Sequence, residues 1–166
     1  MPDPSPHTDA AALNDEDYSS CSVLLVDDNE QNLELLQAYL DDLKCELRTA
    51  KDGLEALDAV KTRLPDLVLM DVMMPRMSGF QACARIKKDA GTRHIPVLMV
   101  TALNEVGDVE RAVDSGADDF LTKPVNRLEL LTRVRSLLRV GLLQRQLRET
   151  LEKLRESGSD AATGRT

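Results

Sequence analysis

The chain has 166 residues, enough for one domain with short tails. It carries 21 Lys and Arg against 29 Asp and Glu, a net charge of −8, which argues against general electrostatic binding of nucleic acid. Apolar residues make up 42% of the chain but aromatic residues only 2%, so the core must be built from aliphatic side chains.

The sequence lacks the marks of secretion and of membrane insertion. Its three cysteines, Cys21, Cys45 and Cys83, are scattered without CxxC spacing, as is typical of a reducing compartment. No apolar run approaches the roughly 18 residues of a membrane span. The first residues have neither the basic start nor the apolar stretch of a signal peptide. We therefore expect a soluble cytoplasmic protein with no membrane partner.

The first twenty residues are rich in Pro, Asp and Ser, with five acidic residues and no Lys or Arg. This composition predicts a disordered acidic tail over 1–20. Five short apolar runs that predict buried strands follow it, at 22–27, 45–50, 66–71, 96–101 and 117–121. Several are apolar at consecutive positions, which favours parallel strands covered on both faces.

Helical patterns separate the apolar runs. Residues suited to the N-cap precede the first four: Asn29, Asp52, Ser78 and Asn104. The order, five strands alternating with five helices, predicts an α/β fold, a doubly wound five-stranded parallel sheet of strand order 2-1-3-4-5 (flavodoxin-like). We place this domain at 21–139.

The last predicted helix, 126–156, is too long for such a domain, since it would extend roughly 46 Å. In its first half, four residues are expected to pack on the sheet: Leu128, Leu131, Val134 and Leu138. Beyond Gly141, a candidate hinge, five apolar residues predict a coiled-coil-like extension over 140–156: Val140, Leu143, Leu147, Leu151 and Leu154. The small polar residues 157–166 predict a disordered tail.

Five polar residues follow or end predicted strands: Asp27, Asp28, Asp71, Thr101 and Lys123. Taken singly, each has an ordinary explanation as a turn, cap or loop residue. Because carboxyl ends of parallel strands meet at one edge, we expect them to converge. Three carboxylates suit a hard cation such as Mg²⁺. Asp71 could then act as a nucleophile toward a phosphoryl group, with Thr101 donating a hydrogen bond and Lys123 supplying positive charge.

The motifs Val-Asp27-Asp28, Leu-Met-Asp71-Val-Met-Met-Pro-Arg-Met-Ser-Gly79, Val-Thr101-Ala and Lys123-Pro resemble those of the receiver domain of bacterial two-component response regulators, in order, over about 22–139. The resemblance implies that Asp71 accepts a phosphoryl group from a sensor histidine kinase or phosphotransfer protein. It also implies a signalling domain rather than an enzyme, apart from self-catalysed phosphorylation and dephosphorylation.

The resemblance assigns further roles. Asp28, Asp71 and the backbone carbonyl of Met73 would bind Mg²⁺, with Asp27 helping through water. Thr101 and Lys123 would form the switch pair, and Phe120 would be the aromatic residue that turns inward on activation. The resemblance also implies a cis peptide bond at Lys123–Pro124. Apolar Met73 and Leu103, two residues past Asp71 and Thr101, favour slow loss of the phosphoryl group.

The sequence says less about how the domain passes its signal on. About 27 residues follow the domain, too few for an attached DNA-binding module. We expect a receiver that forms a homodimer, or binds a partner, through the fourth helix, fifth strand and fifth helix and through the extension. One alternative is the receiver and linker of a larger signalling enzyme, such as a cyclic-di-nucleotide enzyme or a hybrid kinase. Another is a binding scaffold that takes no phosphoryl group.

Overall fold

The structure is a computed structural model, in which residues 17–102 and 106–163 are described. All five predicted strands are present: β1 (Ser22–Val26), β2 (Glu46–Ala50), β3 (Leu67–Asp71), β4 (Val97–Thr101) and β5 (Asp119–Thr122). They form one parallel sheet in the order β2-β1-β3-β4-β5. The predicted fold class and strand order are therefore confirmed.

Five α-helices alternate with the strands: α1 (Glu30–Leu40), α2 (Gly53–Thr62), α3 (Gly79–Lys88), α4 (Val106–Asp114) and α5 (Arg127–Thr163). Their starts follow from local capping. Asn29 accepts hydrogen bonds from two backbone amides of α1, Asp52 accepts one from α2, and Ser78 forms a capping box with Gln81. Asn104, the predicted cap of α4, lies outside the described residues.

The core consists of two aliphatic layers on opposite faces of the sheet. Alternate strand residues such as Leu25 and Leu69 pack with α1 and α5, whereas their neighbours such as Leu24 and Met70 pack with α2 and α3. Every residue of β1, β3 and β4 is buried. The consecutive apolar positions in the sequence thus reflect strands covered on both faces. Within the described residues, no helix is both long and apolar enough to span a membrane.

The ordered part is longer at both ends than the sequence indicates. Tyr18, placed in the predicted tail, is buried in the layer formed by α1 and α5, and its hydroxyl donates to the carbonyl oxygen of Arg135 at 3.5 Å. At the other end α5 continues through Ser157 to Thr163, where we expected a disordered tail. No proline follows Pro124, so nothing in the covalent chain forces the helix to stop at 156.

Helix α5 differs from the sequence-based prediction at Leu128, and it shows how the helix runs at Gly141. Leu131, Val134 and Leu138 are buried as predicted, but Leu128 is 73% exposed. Leu130 is buried instead, and at 3.6 residues per turn Leu128 lies about 200° around the helix from it. Helix α5 is continuous through Gly141, so no break in the helix marks the candidate hinge.

Gly141 allows a close approach between α5 and the start of β3. A Cβ atom at position 141 would lie 2.8 Å from the carbonyl oxygen of Asp66, a backbone atom that cannot move aside without shifting the strand. We therefore expect Gly141→Ala to lower the free energy of unfolding by about 1 kcal/mol or more, since overpacking outweighs the helix propensity of Ala.

Urea unfolding of this variant tests the contact. Gly158→Ala is the matched control, since a Cβ atom there meets nothing within 4 Å. A Gly141→Ala protein that is as stable as the control, or more stable, would show that the approach does not constrain α5.

Candidate functional site

The candidate site lies at the carboxyl ends of the strands. Asp27 and Asp28 directly follow β1, Asp71 ends β3, Thr101 ends β4 and Lys123 directly follows β5. Strands β1 and β3 are hydrogen-bonded neighbours with Val26 opposite Met70, so the next residues along both strands are adjacent as well. The parallel register therefore brings the predicted residues to one edge of the sheet.

The three carboxylates form a compact cluster. One carboxylate oxygen from each of Asp27, Asp28 and Asp71 lies within 4.8 Å of the others. Asp27 and Asp71 are only 2% and 5% exposed, whereas Asp28 is open to solvent. A set of three carboxylates that is open on one side fits a small, hard cation that keeps some of its water, as Mg²⁺ does.

Asp27 is held by two hydrogen bonds and one ion pair. The backbone amide of Asn29 donates to its Oδ1 at 2.9 Å, the Nδ2 of Asn32 donates to its Oδ2 at 3.2 Å, and Lys123 Nζ lies 3.7 Å from Oδ2. Sequence reasoning missed Asn32. The available signal was its position in the first turn of α1, three residues after the cap Asn29, where its amide faces back toward the end of β1.

Lys123 supplies the positive charge of the site. Its Nζ lies 3.3 Å from Asp71 Oδ1, and its backbone amide donates to the carbonyl oxygen of Thr101 at 2.8 Å. The Lys123–Pro124 peptide bond is cis, as expected. The backbone of this loop is thus tied to the end of β4 while the ammonium group reaches across to β3.

The pKa of Asp71 is raised above its ordinary value. Burial of the carboxyl group is the main cause, and the negative charge of Asp27 adds to it. Lys123 and the backbone amide of Met73 oppose the shift by stabilising the carboxylate. Asp71 is therefore an electrostatically unfavourable carboxylate that added positive charge would stabilise.

Gly79 allows the start of α3 to lie close to the end of β3. A Cβ atom at this position would lie 2.1 Å from the carbonyl oxygen of Asp71, and the Gly79 amide donates to the carbonyl oxygen of Val72 at 2.9 Å. Helix α3 can begin directly beneath the end of β3 only because residue 79 has no side chain. This accounts for the glycine eight residues after Asp71 in the sequence motif.

The remaining predicted residues lie around the cluster. Thr101 is buried at the end of β4, beside the strand that carries Asp71. Met73 is exposed next to Asp71, and Phe120 is partly exposed on β5. Leu103 lies outside the described residues. The structure thus brings Asp27, Asp28, Asp71 and Lys123 into one cluster, with Thr101 beside it and Phe120 farther along the sheet.

A cavity of about 240 Å³ adjoins the cluster between α1 and the loop after β5. Asp27 and Lys123 form its polar end. The rest of the lining is mostly apolar and includes Leu35, Tyr39 and Pro124. A molecule seated in this groove would therefore be in contact with the acidic cluster.

Comparison with known proteins agrees with this geometry. A sequence model described as the response regulator receiver domain matches residues 23–135. The chain belongs to the response regulator receiver family. This receiver is 48% identical over 130 residues to the response regulator PleD of Caulobacter vibrioides, which covers 78% of the chain but 29% of PleD. The chain thus spans less than a third of that relative.

Two shorter chains match over nearly their whole length, and one of them is a receiver domain of a sensor histidine kinase. The receiver is 37% identical to the polar-differentiation response regulator DivK of Brucella anthropi, over 70% of the chain and 95% of DivK. It superposes on the receiver domain of the sensor histidine kinase PA1611 of Pseudomonas aeruginosa with a TM-score of 0.67 and 29% identity, over 72% of this chain and 98% of that one. That crystal structure has a magnesium ion coordinated in its active-site cleft.

The raised pKa of Asp71 makes a prediction about stability. An acid whose pKa is raised by folding favours the folded state below its unfolded pKa, and this contribution is lost as the pH rises through the folded pKa. Removing the charge with Asp71→Asn should therefore increase the free energy of unfolding at pH 7 without Mg²⁺, on the order of 1 kcal/mol.

Urea unfolding of both proteins between pH 4 and pH 8 measures this difference. The advantage of Asp71→Asn should grow as the pH rises and shrink toward pH 4. An Asp71→Asn protein that is less stable than the native chain at pH 7 would contradict the electrostatic account.

Proposed function

We propose that this receiver takes a phosphoryl group on Asp71 from a sensor histidine kinase or a phosphotransfer protein, in a Mg²⁺-dependent reaction in the cytoplasm. The observation that carries the proposal is the ammonium group of Lys123, 3.3 Å from a buried carboxylate that also belongs to a three-carboxylate cluster. Phosphoryl transfer depends mainly on positioning and on neutralising charge, and this arrangement supplies both.

A carboxylate oxygen of Asp71 forms a bond to phosphorus while the phosphorus–nitrogen bond of the donor phosphohistidine breaks. The electron pair of the broken bond goes to the leaving imidazole, which takes a proton from solvent. Lys123 faces the oxygens of the transferred group, and the Thr101 hydroxyl donates a hydrogen bond to one of them.

Mg²⁺, when bound, would neutralise charge on the phosphoryl oxygens and relieve repulsion among the carboxylates. Asp28, Asp71 and the carbonyl oxygen of Met73 would hold it, with Asp27 acting through water. Asn29 and Asn32 orient Asp27 for this role, since they occupy both of its carboxylate oxygens with donors.

For the signal relay, we propose that Thr101 moves toward the phosphoryl group and that Phe120 turns inward as Thr101 leaves its place. Phe120 is partly exposed on β5, so it has room to change rotamer. The surface of α4, β5 and α5 would then change shape and form a homodimer or bind a partner. The apolar Met73 beside Asp71 supports slow loss of the phosphoryl group by water attack.

A second candidate function is that of a receiver within a larger signalling protein. Helix α5 runs on well past Gly141, where it contacts the start of β3, and the chain spans only part of PleD. Both observations favour a receiver with its linker helix that works within a larger signalling enzyme, such as a cyclic-di-nucleotide enzyme or a hybrid kinase. Sequencing of the complete reading frame decides between this and a separate receiver.

Labelling with a small phosphodonor tests the phosphoacceptor. Incubation with acetyl phosphate and Mg²⁺ should add one phosphoryl group to the native chain, detected by intact mass, and chelation of Mg²⁺ should prevent the addition. Asp71→Asn should remain unlabelled because it lacks the nucleophilic carboxylate. The matched control Asp58→Asn, an exposed acid on α2, should be labelled like the native chain. Equal labelling of Asp71→Asn would contradict the proposal.

The groove beside the cluster suggests where a protein donor docks. It shares Asp27 and Lys123 with the site, and its outer wall includes the exposed Leu35 of α1. We expect Leu35→Glu to slow transfer from a phosphorylated histidine phosphotransfer domain roughly tenfold, since a charge replaces an apolar contact. Labelling by acetyl phosphate should not change, because that donor needs no docking surface.

Transfer rates measured with the two donors separate docking from chemistry. Leu54→Glu is the matched control, since Leu54 is similarly exposed but lies on α2. A Leu35→Glu protein that loses both reactions equally, or neither, would exclude this docking surface.

A further inference from the structure

The loop after β3, residues 72–78, includes Met73, whose carbonyl oxygen is a proposed ligand of Mg²⁺. The two ends of this loop are fixed by backbone hydrogen bonds. The amide of Val72 donates to the carbonyl oxygen of Val100 at 3.2 Å, and the amide of Gly79 donates to the carbonyl oxygen of Val72 at 2.9 Å. The middle of the loop lies outside the sheet, so its position depends on contacts with a neighbouring element.

The start of α2 provides two such contacts. The guanidinium group of Arg76 lies 3.4 Å from Oδ2 of Asp52, while Oδ1 of Asp52 caps α2 by accepting from the amide of Glu55 at 2.8 Å. Met77 is buried against Gly53, where a Cβ atom would lie 2.9 Å from the Cγ of Met77. An ion pair and a close apolar contact thus fasten the loop to α2.

The backbone of Arg76 shows that its side chain matters. Its φ is +68°, in the left-handed region that residues other than glycine seldom adopt. Glycine or asparagine would adopt this conformation more easily, but neither carries a charge that could pair with Asp52. The carboxylate that Arg76 reaches is only 15% exposed, so it is largely fixed in place.

The segment that carries Asp52 also contacts the other part of the acidic cluster. Ala50 ends β2, and its carbonyl oxygen accepts a hydrogen bond from the backbone amide of Asp27 at 3.1 Å. Two residues later, Asp52 contacts the loop that follows Asp71. Residues 50–53 therefore contact both chain segments that supply the three carboxylates.

We propose that Asp52 and Arg76 are positioning residues for the Mg²⁺ site. Their ion pair holds the loop after β3 so that the Met73 carbonyl oxygen and the Asp71 carboxylate can bind the same ion. Mg²⁺ demands near-ideal octahedral geometry, so its affinity falls when a ligand is displaced. The inference rests on the proposed function for the identity of the ion and of its ligands.

Two single variants each remove the ion pair. Asp52→Asn keeps the helix cap, because asparagine caps as well as aspartate, and Arg76→Gln keeps a long polar side chain. We expect each variant to bind Mg²⁺ about threefold more weakly than the native chain, the size of effect typical of a partly exposed ion pair. NMR titration of the backbone amides with Mg²⁺ measures the affinity. The double variant should bind no more weakly than either single variant, because only one ion pair is lost.

A long-range effect of charge predicts a different pattern. Removing the negative charge of Asp52 would weaken Mg²⁺ binding, removing the positive charge of Arg76 would strengthen it, and the double variant would bind like the native chain. Weaker binding by Arg76→Gln therefore distinguishes positioning from electrostatics. Arg76→Lys, which keeps a positive charge opposite Asp52, should recover most of the affinity.

Glu46→Gln is the matched control, since it removes an exposed ion pair with Arg63 at the start of β2, the end of the strand opposite the site. It should leave the Mg²⁺ affinity unchanged, and an equal loss in this control would overturn the inference. Native affinity in Asp52→Asn and Arg76→Gln, or tighter binding in Arg76→Gln, would overturn it as well while the proposed function stands. A native chain that binds no Mg²⁺ would overturn both.

Discussion

The parallel pairing of β1 with β3 is the constraint on which the rest of this structure depends. It places Asp27 and Asp28 beside Asp71 at one edge of the sheet, with Asp27 and Asp71 nearly out of contact with water. Burial and the negative charge of Asp27 both disfavour the carboxylate of Asp71, and they raise its pKa. Lys123 offsets only part of the charge, and a bound divalent cation would offset more of it. The arrangement that costs stability thus suits the binding of a cation.

Much of this could be predicted from the sequence because the strong signals are local. Consecutive apolar residues in β1, β3 and β4 indicate strands covered on both faces, and capping residues mark the starts of α1, α2 and α3. Once a parallel sheet is assumed, topology alone brings its carboxyl ends together. The features that the sequence did not reveal depend on contacts between distant segments, such as the burial of Tyr18 against α5 and the approach of Gly141 to Asp66. Asn32 was missed although it lies only five residues after Asp27, since its side-chain hydrogen bond depends on how α1 follows β1.

Helix α5 connects the edge of the sheet that carries the site with the part of the chain beyond Gly141. It starts three residues after the Lys123–Pro124 bond, at the edge of the sheet that carries the acidic cluster. It then passes along the sheet, contacts the start of β3 through Gly141 and continues with the exposed residues Leu143, Leu147, Leu151 and Leu154. Its 37 residues span about 56 Å as one helix. One continuous helix therefore joins the loop after β5 to the exposed residues beyond Gly141.

We propose Asp71 as the residue that takes the phosphoryl group. Fluorine NMR of the chain with beryllofluoride, a stable mimic of the phosphoryl group, measures this directly. With Mg²⁺ present, the native chain should show resonances of bound fluoride that are distinct from the free species, and Asp71→Asn should show only the free species. Bound resonances of equal intensity in Asp71→Asn, or none in the native chain at saturating Mg²⁺, would contradict the account.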